Sequence, residues 1–411
     1  MTLAVLACCV FFLQSVTPEI IEHARAGAAA LQQGHVEVAI REFRTVTELQ
    51  PESAAAHANL GDAYFQNGDY DQAIAELETA LRINPKLMGS HQTLGVALLV
   101  QGNAEAAVPH LEKTRTPELL GLAYLETGRL GSAIVALQAA LERQPKDPDL
   151  LYYFGRATAE ASRATADQLA KIAGSSVSGN AAAANGAGGA TEDVVSLQKA
   201  LAGKPDDPEL LAAFSRAAGL ASQNAFDMVL ASSPGSARAH QVLAERYVER
   251  GQFPAAEREY SEALRLKPYA PHVHLALGNA LAAQGRWAAA AAQAREETQL
   301  RPAGAEAFYR LGCWLLQLGD ATGALAEIRR AGGLRPNAPE ILLVLGEAAF
   351  AVHDTALAES SWKKLLAIDG DSDLAASAHL NLAALYRLGG DAQAAEREMA
   401  AYHQLKNHEE R

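Results

Sequence analysis

The sequence predicts an all-α chain built as a solenoid of stacked helix-turn-helix hairpins. Three observations carry this: an Ala-rich, aromatic-poor composition, a recurrence every 34 residues, and two apolar stripes inside each recurring unit. Of 411 residues, 49% are hydrophobic but only 6% are aromatic, and roughly a fifth are Ala. That suits closely packed helices and argues against sheets. The length exceeds one ordinary globular core, so the chain holds either several domains or one extended array.

The recurrence is plainest in AHANLGDAYFQNGDYDQAIAELETALRINP. With Ala54 as position 1, Leu60 and Gly61 fall at 7 and 8, Tyr64 at 11, Gly68 at 15, Ala73 at 20, Leu77 at 24, Ala80 at 27 and Pro85 at 32. Positions 4, 7 and 11 share one face of a first helix, and 20, 24 and 27 share one face of a second. Small residues at 8 and 20 let the backbones approach, Gly at 15 supplies the turn, and Pro at 32 ends the second helix. The same types return in units beginning at Ile20, Thr114, Ala237, Pro271, Ala305 and Pro339, and near Ala376 after a three-residue slip. Shortened or interrupted units begin at Met88, Pro148 and Pro208, for eleven in all.

This pattern resembles the tetratricopeptide repeat family over nearly everything after residue 19. The resemblance implies a right-handed superhelix whose first helices line a concave groove, with positions 2, 5, 9, 12 and 13 facing a bound peptide or helix.

Departures from the period mark where the array changes. The unit from Met88 is only 26 residues long, and its second helix is expected to stop around Pro109. The unit from Pro148 begins in register (Leu151, Phe154, Gly155) and then meets GSSVSGNAAAANGAGGA, residues 174–190, uncharged and aperiodic, which reads as a flexible loop. Its second helix is expected to resume at Thr191, with Leu197, Ala200, Leu201 and Pro205 at positions 24, 27, 28 and 32. The organisation expected is thus an N-terminal segment (1–19), a first set of repeats (20–172), a loop (173–190), the remaining repeats (191–409) and a short tail (410–411). The whole reads as one solenoid with an irregular waist, with two separated domains as the alternative.

The run Leu3–Leu13 (LAVLACCVFFL) is uncharged, too short to span a bilayer and of the size of a signal-peptide core. No Lys or Arg precedes Arg25, which a secretory signal normally requires. The expectation is a periplasmic or secreted protein; the alternative is a cytoplasmic one in which this run is an apolar tail on the first helix. Leu6 occupies the place before Cys8 that lipid anchoring reserves for a small residue. No later stretch is apolar enough for a membrane span.

Charge and chemistry exclude several function classes. The net charge of −13 repels a phosphate backbone, so nucleic acid is not an expected partner. Cys8, Cys9 and Cys313 build neither a disulfide framework nor a metal cluster. The PHVH run offers His272 and His274 as ligands, but His23, His57, His91, His240, His274 and His379 all occupy position 4, a packing seam, and His272 is left without a second ligand. Cys313 reads as an inert, partly buried thiol. Glycine-rich matches are solenoid turns without the strand and Lys of a phosphate loop. With the repeats allotted, no catalytic domain remains, and neither enzyme activity, cofactor nor metal is expected.

What remains is protein binding. Positions 5 and 9 give Tyr152 and Arg156, Arg216, Gln241 and Glu245, Asn279 and Tyr309 as candidate groove residues, whereas before the waist they are mostly small or apolar, such as Ala24, Ala28 and Val96. Aromatic area beside guanidinium donors is the chemistry of binding hot spots. The carboxylate clamp of the family's chaperone-binding members is absent, because no Lys stands at position 5 or 9. The expected function is a scaffold or adaptor gripping a partner protein or peptide, possible in a bacterial envelope; the alternative is a cytoplasmic regulatory or sensor subunit sequestering an enzyme or transcription factor. The final apolar face near Met399 and Tyr402 offers a self-association surface.

Overall fold

The computed structural model describes residues 17–173 and 194–409. The run at residues 3–13 and the stretch 174–190 lie outside them. The chain is 82% helical, with no strand among the described residues. It divides into two compact units, Met1–Leu99 with Ala104–Ala123 and Val100–Asn103 with Tyr124–Arg411.

In the first unit, α1 (Pro18–Gln32) and α2 (Val36–Leu49), α3 (Ala54–Asn67) and α4 (Tyr70–Ile83), and α5 (Met88–Val100) and α6 (Ala104–Thr114) form hairpins. The hairpin of α3 and α4 shows why. Ser53 caps the first helix through its hydroxyl, and Gly68 takes a φ of 85°, which lets the chain reverse without the steric cost a side chain would bring. Leu60, Ala73, Leu77 and Ala80 are buried in the seam. A Cβ on Gly61 would lie 2.7 Å from Leu77, so only glycine fits where the helices cross. Pro109 does not stop α6, contrary to the sequence expectation: the helix runs through it to Thr114. Pro109 removes one backbone donor, and burial of Ala107, Val108 and Leu111 offsets that loss.

α7 (Pro117–Glu126) crosses the division between the units, and α8 (Leu130–Arg143) begins the second. Three irregular helices follow: α9 (Pro148–Ala173), α10 (Val194–Gly203) and α11 (Pro208–Ser232). Five hairpins complete the chain: α12 (Ala237–Glu249) with α13 (Phe253–Leu266), α14 (Val273–Ala282) with α15 (Trp287–Leu300), α16 (Ala305–Gln317) with α17 (Ala321–Leu334), α18 (Pro339–Ala351) with α19 (Thr355–Ile368), and α20 (Asp373–Leu388) with α21 (Ala392–Glu409). One apolar core runs through them from Ala244 to Leu385.

The waist corrects the repeat count. Position 15 of the units from Pro148 and Pro208 is Ser162 and Ser222, not glycine. With nothing to take a positive φ, both helices run on, to 26 and 25 residues. They pair with each other: Gly155 faces the Phe226 ring, and Ser162 and Ser215 each donate a hydroxyl to the other's backbone carbonyl, at 2.7 and 3.0 Å. The expected partner of α9, the helix holding Leu197 and Leu201, packs instead beside α8 and α11. Counting back from Ala237 places Ser222, Phe226, Val229 and Pro234 at positions 20, 24, 27 and 32, so the end of α11 serves as the second helix of the unit α9 begins. Among the described residues there are therefore ten repeats, one carrying a long insertion, rather than eleven.

Candidate functional site

Buried polar side chains gather where the waist packs against α12. Arg238, at position 2 of α12 and 4% exposed, donates Nε to Asp149 Oδ1 at 2.6 Å, Nη1 to Gln241 Oε1 at 2.6 Å and Nη2 to the Tyr153 hydroxyl. Its guanidinium also lies over the rings of Tyr152 and Tyr153, 4.6 and 4.7 Å from their centroids. Burial pushes the Asp149 carboxyl up, but Arg238 and Lys267 outweigh it and hold the group below the usual carboxylate range. Beside this cluster the Tyr152 hydroxyl donates to Glu245 Oε1 at 2.6 Å and accepts from Gln241 Nε2. Burial raises Glu245 above its ordinary value against the pull of Tyr152, and raises Tyr152 well above its own.

A second cluster stands where α7 ends. Glu126 accepts from His272 Nε2 at 2.7 Å and from Arg301 Nη2 at 2.7 Å. Burial opposes its ionisation, yet His272 and Arg301 bring it down to about 2. His272 sits at a φ of 64°, in the left-handed region, and its backbone N–H donates to Glu297 Oε1 at 3.1 Å. Glu297 is almost wholly buried and its Oε2 has no hydrogen-bond partner.

Between α9, α11, α12 and α14 lies a cavity of about 1010 Å³. Its wall is drawn from repeat positions 2 (His272, Glu306), 5 (Tyr152, Gln241, Leu275), 9 (Arg156, Glu245, Asn279), 12 (Ala159, Val248) and 13 (Glu160, Glu249). Arg163, Gln223, Glu249 and Asn279 on this wall are exposed, whereas Tyr152 and Gln241 are buried. Arg156 Nη2 donates to Glu160 Oε1 at 3.0 Å, and Arg246 Nη2 to Asp227 Oδ1 at 2.6 Å.

Five of the seven candidate residues therefore meet: Tyr152, Arg156, Gln241, Glu245 and Asn279 line one cavity. Two of them differ from the expectation. Tyr152 and Gln241 spend their polar atoms on each other and on Glu245 and Arg238, shaping the wall from behind it. Arg216 is exposed on α11 and Tyr309 half-buried on α16, both outside the lining. Tyr309 contacts Cys313, whose thiol burial pushes up to about 11. Position 2 was the missed signal: reading it as positions 5 and 9 were read yields Asp149, Arg238 and His272 at once. Phe226 was hidden because the register of α11 is legible only backwards from Ala237. No group of His, Cys, Asp and Glu among the described residues is arranged to hold a metal ion, and no described helix is long and apolar enough to cross a membrane.

No curated protein matches the chain. Among solved structures it is similar to MamA from Desulfovibrio magneticus RS-1, with 22% identity, 42% of this chain and 95% of that one covered, and a TM-score of 0.40. It is similar to pilF of Pseudomonas aeruginosa, with 21% identity, 46% and 88% covered, and a TM-score of 0.39. Yeast Tom70 aligns over 94% of this chain and 92% of its own, with 14% identity and a TM-score of 0.39. Tetratricopeptide repeat profiles match residues 25–87, 118–172 and 275–339, and 93–113, and a TPR repeat profile matches 244–285. Together these cover more than half of the chain, which belongs to the tetratricopeptide repeat family.

Proposed function

We propose that this chain is a non-catalytic scaffold of the bacterial cell envelope that grips a partner polypeptide in the cavity beside the waist. Its repeats make it a protein-interaction scaffold in the general sense. The observation that carries the finer reading is the convergence of positions 2, 5, 9, 12 and 13 on one cavity, where the wall mixes exposed amide, guanidinium and carboxylate groups with the Phe226 ring. Such a wall suits a polar, extended segment: Gln223 and Asn279 can meet backbone amides, and Arg163 and Glu249 can meet side chains of opposite sign. A cavity of this size holds several side chains. The apolar run Leu3–Leu13 supports the envelope location.

Photo-crosslinking in cells tests the site. A crosslinker at Gln223 or Asn279 is expected to yield one discrete adduct that a crosslinker at Arg265, on exposed α13 surface, does not. Equal adducts from all three positions would refute the cavity as the binding site. Intact-mass analysis of the fractionated protein tests location: loss of the apolar run with recovery outside the cytosol supports the envelope, whereas an intact Met1 in the cytosol refutes it and favours a regulatory subunit.

A further inference from the structure

At each position-4 histidine, ring Nδ1 meets the residue nineteen places on, on the second helix of the same hairpin. Four of these partners are glutamates: Glu42 for His23 at 2.7 Å, Glu76 for His57 at 2.6 Å, Glu259 for His240 at 2.7 Å and Glu398 for His379 at 2.6 Å. The other two are not acidic: His91 meets His110 Nδ1 at 2.8 Å, and His274 meets Gln293 Oε1 at 2.9 Å. At His57, His91 and His274 the second nitrogen meets the carbonyl of the proline that ends the preceding hairpin, Pro51 at 2.9 Å, Pro85 at 3.0 Å and Pro268 at 3.1 Å. These three rings join both helices of their own hairpin to the one before.

Donor counting separates the two kinds. Around His57 a carboxylate and a carbonyl both only accept, while a neutral imidazole has a single N–H. Keeping both bonds requires a second proton within the His57–Glu76 pair. At His274 the Gln293 amide can turn its NH2 toward the ring, so a neutral imidazole satisfies both contacts. At His91, Nε2 stands near both the Pro85 carbonyl and the Lys113 ammonium, 3.0 and 3.3 Å away, and Nδ1 faces a second imidazole instead of a carboxylate.

We propose that the position-4 His–Glu pairs are proton-operated latches that tighten their hairpins at mildly acidic pH and release them as the pH rises. The groups facing each ring are few. Glu42 bonds His23, with Glu19 and Glu22 acting through space; Glu76 and the Pro51 carbonyl face His57, with Arg44 on α2 acting on Glu76 through space; Glu259 faces His240, near Glu262; Glu398 faces His379. The sign follows from which form the partner favours. A carboxylate favours the charged imidazole, so the stabilisation is complete below the ordinary histidine range and disappears as pH rises through the folded-state titration. His23 is raised in this sense, chiefly by its hydrogen bond with Glu42. The His91–His110 pair has the opposite sign, since protonating both rings sets two N–H groups face to face; burial first, then His91 and Lys113, hold His110 below its ordinary value. The hairpin of α16 and α17, which holds no histidine, is a built-in control.

Nitrogen-15 NMR of the full chain labelled at histidine reads the ring protons directly. At neutral pH His23 is expected to carry protons on both ring nitrogens in a larger fraction of molecules than in Glu42→Gln; equal fractions would overturn the proposal. Amide exchange adds a second readout. Between pH 6.5 and 8.5, after correction for intrinsic rates, protection across α1 and α2 is expected to fall, by up to about tenfold for each unit of titration shift, while α16 and α17 hold steady. Glu42→Gln should abolish the fall. Equal changes in both hairpins, or an unchanged fall in Glu42→Gln, would contradict it; if that variant unfolds its hairpin, a His23 ring that titrates as an ordinary histidine in the unaltered chain contradicts it.

Discussion

The five hairpins from α12 to α21 and the waist of α9 to α11 solve the same packing problem in different ways. In the hairpins, helices of 10 to 18 residues meet through Ala, Leu and aromatic side chains around small crossing residues. In the waist, serine replaces the turn glycine, the helices nearly double in length, and polar groups are drawn inside against α12. Regular repetition makes a uniform surface. A distinct site arises where the repetition is interrupted, because there the chain buries a guanidinium and two tyrosines beside two half-buried carboxylates, and these fix the wall of a cavity.

Substitutions on the two sides of this comparison should behave differently. The largest effect is expected for Arg238→Met, which leaves the buried Tyr153 hydroxyl and Gln241 amide without their donor, while Asp149 keeps Lys267. It should cost about 2–4 kcal/mol by denaturant titration, whereas Arg246→Met, at a partly exposed ion pair, should cost less than about 1 kcal/mol. Next comes acid. Glu126, at about 2 in the folded chain, contributes stability that is complete above its ordinary value of 4.5 and is lost as pH falls toward 2. Glu126→Gln should therefore flatten that part of the acid-denaturation curve of the second unit. Third, Gly61→Ala pushes a methyl group into Leu77 and should cost about 1–3 kcal/mol, read as a shift in the thermal midpoint. Smallest and opposite in sign is His353→Gly. His353 fills the turn position of α18 and α19 at a φ of 64°, where the corresponding residues elsewhere are mostly glycine, so the change should stabilise by about 1 kcal/mol.

The regular array was legible in the sequence because each of its contacts is local and recurs. Gly61 against Leu77, the turn at Gly68 and the stop at Pro85 can all be read from spacing alone. The waist was less legible because its contacts are distant along the chain: Arg238 bonds Asp149 across 89 residues, and His272 bonds Glu126 across 146. Spacing located Tyr152, Arg156, Gln241, Glu245 and Asn279, since they obey the period. It could not tell which of them turn inward. Burial of Tyr152 follows from the pairing of α9 with α11 and α12, and that pairing is hidden by an insertion that shifts the register. Ser162 and Ser222, standing at the turn position, are the local signs that the hairpin would not close there.

The pairing of α9 with α11 makes the waist one repeat with an insertion and thereby forms the cavity. The hydroxyl oxygens of Ser162 and Ser215 are 3.3 Å apart. In a chain whose Cys8, Cys9 and Cys313 are replaced by serine, Ser162→Cys with Ser215→Cys should form a disulfide under mild oxidation and leave the melting midpoint unchanged or raised. If those cysteines stay reduced under the same conditions, the pairing is wrong and the cavity with it.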